Sequence, residues 1–269
     1  MNLADGPATR RVRLRVAYHG GAFHGFAANH GVDTVEGLVE SCLRTITRRP
    51  VGISTAGRTD AGVHAIGQVV SFDAPADTDL RALVRSLNGM CAPHVAVSDA
   101  QWVDPDFDAR RSATSRTYRY TVLNTPEPNP LLSDRSWHVW NPLSIPLMNL
   151  ACDALMGEND FSAFCRRPDK PEGASEPSMN RHVFSARWRE GEGPGMEGTV
   201  VFEIRANAFC HQMVRSLVGF LVDVGTGKRK PSDTRAVMLR RDRNHGSPVA
   251  PPQGLTLWEV GYEGHRIHP

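Results

Sequence analysis

RVRLRVAY, residues 11–18, is the stretch on which the fold class turns. Val12, Leu14, Val16 and Tyr18 alternate with Arg11, Arg13 and Arg15. Successive side chains of a β-strand point to opposite faces, so this alternation predicts a half-buried strand with one cationic edge or face. TYRYTVLN, residues 117–124, opens the second half of the chain in the same manner, with Tyr118, Tyr120 and Val122 sharing a face.

Helical spacing appears between and after these strands. Asp33 followed by Glu36 has the form of a capping box, ahead of Val35, Leu38, Val39, Cys42, Leu43 and Ile46. A second helix is expected after Asp79, with Leu80, Leu83, Val84 and Leu87 buried and Asn88-Gly89 as its stop. Strands are expected near 51–55, 69–73 and 94–103. In the second half a helix is expected over about 146–156, with Pro146 in its first turn and Gly157 at its end. Pro168 to Asn180 is rich in Pro, Gly, Ser and charge and reads as a long exposed loop. Strands near 182–189 and 199–206 are joined by EGEGPGMEG. A helix near 210–224 ends at Gly225, a short one follows Ser232, and a strand near 255–262 closes the chain. Each half thus mixes strands with two helices, and strands linked by turns give an α+β fold with mainly antiparallel sheets. The boundary between the halves is expected near 104–115.

Composition narrows the function classes. The chain has 269 residues, 40% of them hydrophobic, which suits one large domain or two closely packed ones. No 18-residue apolar run occurs; Met213 to Val224 comes nearest and contains Arg215 and Asp223, so no membrane span is expected. The start, MNLADGPATRR, lacks the apolar core of a signal peptide, and a cytoplasmic location is expected. Cys42, Cys91, Cys152, Cys165 and Cys210 are odd in number, scattered and without C-x-x-C; this argues against a disulfide framework and a zinc site and fits a reducing compartment. A net charge of +2 neither requires nor excludes a nucleic-acid partner. Its distribution is more telling, with basic runs at Arg10 to Arg15, Lys228-Arg229-Lys230 and Arg240-Arg241-Asp242-Arg243.

Chemistry points to AGRTDAGVHAIGQVVSF, residues 56–72. Gly57 to His64 reads as a loop between strands, with Gly57 and Gly62 permitting tight turns around a carboxylate. Arg58 and Asp60, two apart on a constrained loop, can be aimed at one cleft. The residues alone leave two readings: a site, or a surface turn in which the aspartate closes an Asx-turn.

GRTDAGVHA (57–65), SATSRTYRY (112–120) and AFCHQMVRSLVG (208–219), in that order, resemble the tRNA pseudouridine synthase A family, and the resemblance extends over about residues 11–262. It implies isomerisation of uridine to pseudouridine at positions 38–40 of the tRNA anticodon stem-loop. It implies two RRM-like (ferredoxin-like) lobes, with mainly antiparallel sheets joined around a central cleft. The expected lobes are residues 1–108, carrying the aspartate loop, and 109–269, carrying the tyrosine and the arginine helix. A homodimer with no metal and no organic cofactor is also implied. By the same resemblance Asp60 is the catalytic aspartate, Arg215 the arginine that pairs with it, and Tyr118 the tyrosine that stacks on the target base. Arg58, within the same motif, is a contact to RNA or carboxylate.

One segment departs from the family pattern. Where many members have Tyr-Asp-Gly and then Gly-Trp-Gln, this chain has Tyr18-His19-Gly20 and Gly25-Phe26-Ala27. His19, His24 and His30 lie on an expected loop without other ligands, so no metal cluster is expected there. His64 and His211 are expected as hydrogen-bonded neighbours of the site. Two competing readings are a noncatalytic RNA-binding protein on the same lobes and a glycoside hydrolase using Asp60. The first leaves the intact Asp60 motif without a purpose, and the second lacks a partner carboxylate of comparable context.

Overall fold

The computed structural model describes residues 8–167, 177–263 and 265–267. Most of the exposed loop expected from Pro168 lies outside the described residues. The described chain divides into two units: residues through Thr114 together with those from Leu257, and residues Ser115–Thr256. Its α+β, mainly antiparallel character agrees with the sequence reading.

In the first unit, β1 (Thr9–Tyr18) buries Val12, Leu14, Val16 and Tyr18 as the alternation requires. Its outward arginines do not form an open cationic face. Arg11 pairs with Asp73 at 3.0 Å, Arg13 with Asp99 at 3.3 Å, and Arg15 donates to Ser98 Oγ at 3.0 Å. Helix α1 (Val35–Thr47) follows. Its N-cap is Thr34, whose hydroxyl accepts from Gly37 N at 3.2 Å, and not the expected Asp33. Glu36 instead takes the Ala28 N–H. The cap moves because Gly25 and Phe26 already hold the entering turn, accepting from Val35 N and Glu36 N.

Strand β2 is short (Ser54–Thr55) and pairs with β3 (His64–Pro75). Helix α2 (Leu80–Cys91) is capped by Asp79, as expected. It runs past Asn88-Gly89 because Asn88 is satisfied within the fold, exchanging bonds with Val97 N and O, and Cys91 is buried on the same stripe as Leu87. Strand β4 (Val95–Trp102) completes the order β4-β1-β3-β2, in which each neighbour is antiparallel. Cys42 and Cys91 meet in this core, Sγ to Sγ 3.5 Å, and burial pushes the Cys91 thiol up to about 12.

In the second unit, β5 (Ala113–Leu123) carries Tyr118, Tyr120 and Val122, all buried, and is flanked by the short parallel β6 (Trp137–His138). Helix α3 (Ile145–Cys152) passes through a 3-10 turn into β7 (Gly157–Asp160), and Gly157, at φ +80°, makes the bend. Strands β8 (Asn180–Glu190) and β9 (Thr199–Ala206) extend the antiparallel order β5-β9-β8-β7. Every residue of α4 (Met213–Gly225) is buried except Arg215 and Asp223. The helix starts three residues later than the spacing suggests, because Gln212 takes a left-handed conformation, φ 63°, that ends the preceding turn. Helix α5 (Asp233–Arg240) follows.

The cysteine expectation needs correction. Cys165 and Cys210 are paired in a disulfide, their Cα atoms 5.7 Å apart, within bridging range. Residues 45 apart in sequence are brought together where Arg166 N donates to His211 O, which no spacing rule anticipates.

The chain returns to the first unit through β10 (Leu255–Tyr262), which lies beside β3 and pairs with β11 (His265–Ile267). Gly67 lets β10 approach, since a Cβ there would overlap the Trp258 carbonyl. Gly89, in α2, faces open space. Gly67→Ala should therefore destabilise the protein by about 1–3 kcal/mol through forced backbone shifts. Gly89→Ala should stabilise it by about 0.4–1 kcal/mol, by stiffening the unfolded chain and favouring the helix. Urea unfolding of both variants beside the parent protein checks the opposite signs.

Candidate active site

The Asp60 loop is fastened from below by buried polar groups. Tyr18, at the end of β1, is 5% exposed, and its hydroxyl lies 2.7 Å from Thr59 Oγ1. Gln68, fully buried on β3, donates from Nε2 to Gly57 O at 2.6 Å and lies 3.5 Å from the Tyr18 hydroxyl. Ala56 N donates to Val69 O, and Phe26 N donates to Thr59 O. The residues leading into Asp60 are thus tied to β1, β3 and the 25–26 turn. Asp60 O accepts from Val63 N at 3.1 Å, closing a tight turn with Gly62 at φ +79°. The result is a half-buried Asp60 directly after an exposed Arg58 and a buried Thr59.

The segment that departs from the family pattern supports this loop. Phe26 is fully buried, its ring 6.0 Å from Tyr18, so an apolar residue suits a position that faces the core. Gly25, at φ +97°, packs against the backbone of Thr59 to Ala61, where any side chain would crowd it. The His19 ring lies tilted against that of His64, centroids 4.6 Å apart, and the Nδ1 of His64 accepts from Gly20 N at 3.1 Å. This bond fixes the His64 proton on Nε2 and makes the ring a structural neighbour of the loop. His24 and His30 are exposed.

The second unit holds Tyr118 and Arg215. Tyr118 is 7% exposed, with Phe209 edge-on to its ring at 5.0 Å. Arg215 is half-buried on the first turn of α4. Its Nε donates to Ala250 O at 2.8 Å, and its own carbonyl accepts from Ala250 N at 3.1 Å, so side chain and helix are pinned to one residue of the 248–250 segment. Arg243 Nη2 donates to Gln212 Oε1 at 2.5 Å, bracing the turn that launches the helix. Burial, then the nearby Arg166 and Arg215 cations, lower the pKa of Arg243. His211 is exposed, and its carbonyl takes the Arg166 N–H.

Arg58 and Asp60 therefore share one loop of the first unit, and Tyr118 and Arg215 belong to the second. Sequence reading named these four and not their neighbours: Tyr18, Thr59 and Gln68 beneath the loop, and Phe209, Gln212, Ala250 and Arg243 around α4. Gln68 carried a signal, as the lone amide in the apolar run AIGQVVSF.

A family model described as tRNA pseudouridine synthase matches residues 151–263. A tRNA pseudouridine synthase A of Dechloromonas aromatica is 41% identical, over 95% of this chain and 94% of its own. That of Frankia casuarinae is 42% identical over 94% and 89%, and that of Myxococcus xanthus 39% over 94% and 92%. The chain belongs to the tRNA pseudouridine synthase A family. The membership spans both units, and so covers the Asp60 loop as well as α4.

The Tyr18 phenol offers a direct probe of the loop's foundation. Burial pushes its pKa up to about 12, against the smaller opposing effects of Thr59 and Gln68. The native state favours the neutral phenol, so its contribution is intact below the unfolded pKa of about 10 and is lost as pH rises through about 12. Tyr18→Phe should cost about 1 kcal/mol at neutral pH. It should also flatten the fall in stability between about pH 9 and 12. Denaturant titrations of the two proteins across that range test both effects.

Proposed function

We propose that the protein isomerises uridine to pseudouridine at positions 38–40 of the tRNA anticodon stem-loop, as a cytoplasmic homodimer needing neither metal nor organic cofactor. The observation that carries this reading is the immobilised Asp60 loop, in a chain of the tRNA pseudouridine synthase A family. Its two units would be RRM-like lobes. The strand order β4-β1-β3-β2, with α1 and α2 in a βαββαβ sequence, supports that description for the first.

The reaction breaks the bond between uracil N1 and ribose C1′, turns the base and rejoins it through C5. It calls for a carboxylate that acts on the sugar, and we assign this to Asp60. A half-buried carboxylate on a rigid loop meets the demand, since it is held in place without being freely solvated. Arg215 is assigned the cation that pairs with and orients Asp60, its own Nε held by Ala250 O. Tyr118 is assigned the platform for the detached uracil, because a stacked base can turn in its own plane. Phe209, edge-on to that ring, would hold the platform still. Arg58, exposed in the same turn, is assigned a contact to the RNA.

A purely RNA-binding role would place no demand on the position of one carboxylate. The buried bonds around Asp60 favour the catalytic reading over it.

Asp60→Asn should abolish pseudouridine formation on unmodified tRNA and leave tRNA affinity within a few-fold, because affinity resides largely in phosphate contacts. Mapping of pseudouridine together with filter binding checks both halves, and turnover near the parent rate would remove Asp60 from the chemistry. At the platform, Tyr118→Phe should keep most of the single-turnover rate. Tyr118→Ala should lose about 5- to 150-fold, the equivalent of roughly 1–3 kcal/mol of stacking. Equal losses in the two variants would shift the credit from the ring to the hydroxyl.

A further inference from the structure

Basic residues of the second unit gather at a place to which no role has been given. A cavity of about 330 Å³ opens between the 3-10 turn Ser162–Phe164 and the end of α5. Four arginines line it: Arg166, Arg167, Arg241 and Arg243. Among the described residues the one acidic side chain of its lining, Asp242, accepts from Asn244 N and pairs with His245 Nδ1, each at 3.0 Å, and Asp160 of β7 pairs with Arg241 at 3.1 Å. The described lining thus carries four guanidiniums against one carboxylate, with Asp160 beside them. Arg166, Arg167 and Arg241 are exposed at its mouth, within reach of a polymer.

This arrangement is held in place at some cost. Arg241 occupies the left-handed position after α5, φ 55°, where glycine would be the least strained choice. The Cys165–Cys210 disulfide and the Arg166 N to His211 O bond fasten the arginine-bearing loop to the turn before α4. Arg243 is lodged among like charges, and its pKa is lowered by burial and by Arg166 and Arg215. Cations concentrated on a braced backbone outnumber the described carboxylates beside them and favour an anion. Guanidinium forks match the paired oxygens of a phosphodiester, and an open polar cavity suits a chain of phosphates better than a small apolar ligand.

We propose that this cavity seats backbone phosphates of the RNA substrate, with Arg166 and Arg241 making direct contacts to the phosphodiester oxygens. The proposal rests on the tRNA reading of the protein. Because Arg243 spans from the cavity to Gln212, bound phosphates would also steady the turn from which α4 and Arg215 start.

Equilibrium binding of unmodified tRNA, measured over a series of salt concentrations, tests this. Each phosphate contact contributes about 0.7–0.9 to the slope of log K against log salt. The double variant Arg166→Gln/Arg241→Gln should lower that slope by about 1.5 and weaken binding at least about tenfold near 0.1 M salt. Arg44→Gln/Arg81→Gln removes the same charge from exposed positions on α1 and α2 and should leave the slope unchanged. Arg166→Lys/Arg241→Lys should keep the slope and still bind more weakly, having charge without the fork. This pair also serves if the glutamine variant fails to fold. A parent slope in the glutamine variant, an equal loss in the α1/α2 control, or parent affinity in the lysine variant would overturn the site. Pseudouridine formation by the parent protein on the same tRNA separates the two readings. Turnover with no change of slope discards the cavity and keeps the activity; a changed slope without turnover does the reverse.

Discussion

The Tyr18 hydroxyl, buried at the end of β1 and 2.7 Å from Thr59 Oγ1, is the contact on which the Asp60 loop depends. A loop exposed to water has many backbone states of similar energy, and fixing each residue costs about 1–2 kcal/mol in entropy. Here that cost is offset by hydrogen bonds made where water cannot compete. Removing any one of the three groups (Tyr18, Thr59 or Gln68) would leave the others buried without a full set of partners, which is more damaging than the loss of one surface bond. β1 therefore does more than found a sheet. Its last apolar position supplies the polar atom that fixes the loop's height above the core.

The second unit positions Arg215 in a different way. An arginine on an otherwise buried helix needs its donors placed, and the Arg215–Ala250 exchange does so with backbone atoms, which cannot swing away. Gly219 makes the exchange possible, because a Cβ there would collide with the Pro248 carbonyl and push the 248–250 segment off the helix. At the helix start, the left-handed Gln212 and its bond to Arg243 set the direction of α4. The cationic cavity and the Arg215 turn are therefore one mechanical piece.

Much of this was legible in the sequence, for identifiable reasons. Period-two alternation placed β1 and β5, because a sheet with one buried face leaves little freedom of register. Asp79 was readable as a cap, having no competitor nearby. Asp33 was misread because capping depends on which residue the incoming chain leaves in an extended conformation, and the 25–26 turn gives that place to Thr34. The cysteine pairs were hidden since both join segments distant in sequence: Cys42 with Cys91 across two helices, Cys165 with Cys210 across a sheet and its loops. Phe26 stands where many family members have tryptophan, and its complete burial makes it a packing residue. Pattern locates an element, but the partner of a side chain depends on tertiary approach.

The same distinction governs the charge. The sequence shows two arginine-rich stretches of similar appearance, near residues 10–15 and 240–243. In the first, Asp73 and Asp99 on neighbouring strands answer the arginines, so the face is largely neutral and its ion pairs, partly exposed, add little stability. In the second, Asp160 answers Arg241 and Asp242 is held by its own turn, and among the described residues the arginines of the cavity still outnumber the carboxylates. A net charge of +2 averages these two outcomes and hides both. A polyanion responds to the local excess and not to the average, since the counterions it sheds are those beside the cations it meets. Affinity for nucleic acid in a nearly neutral protein is thus a matter of where acids are withheld.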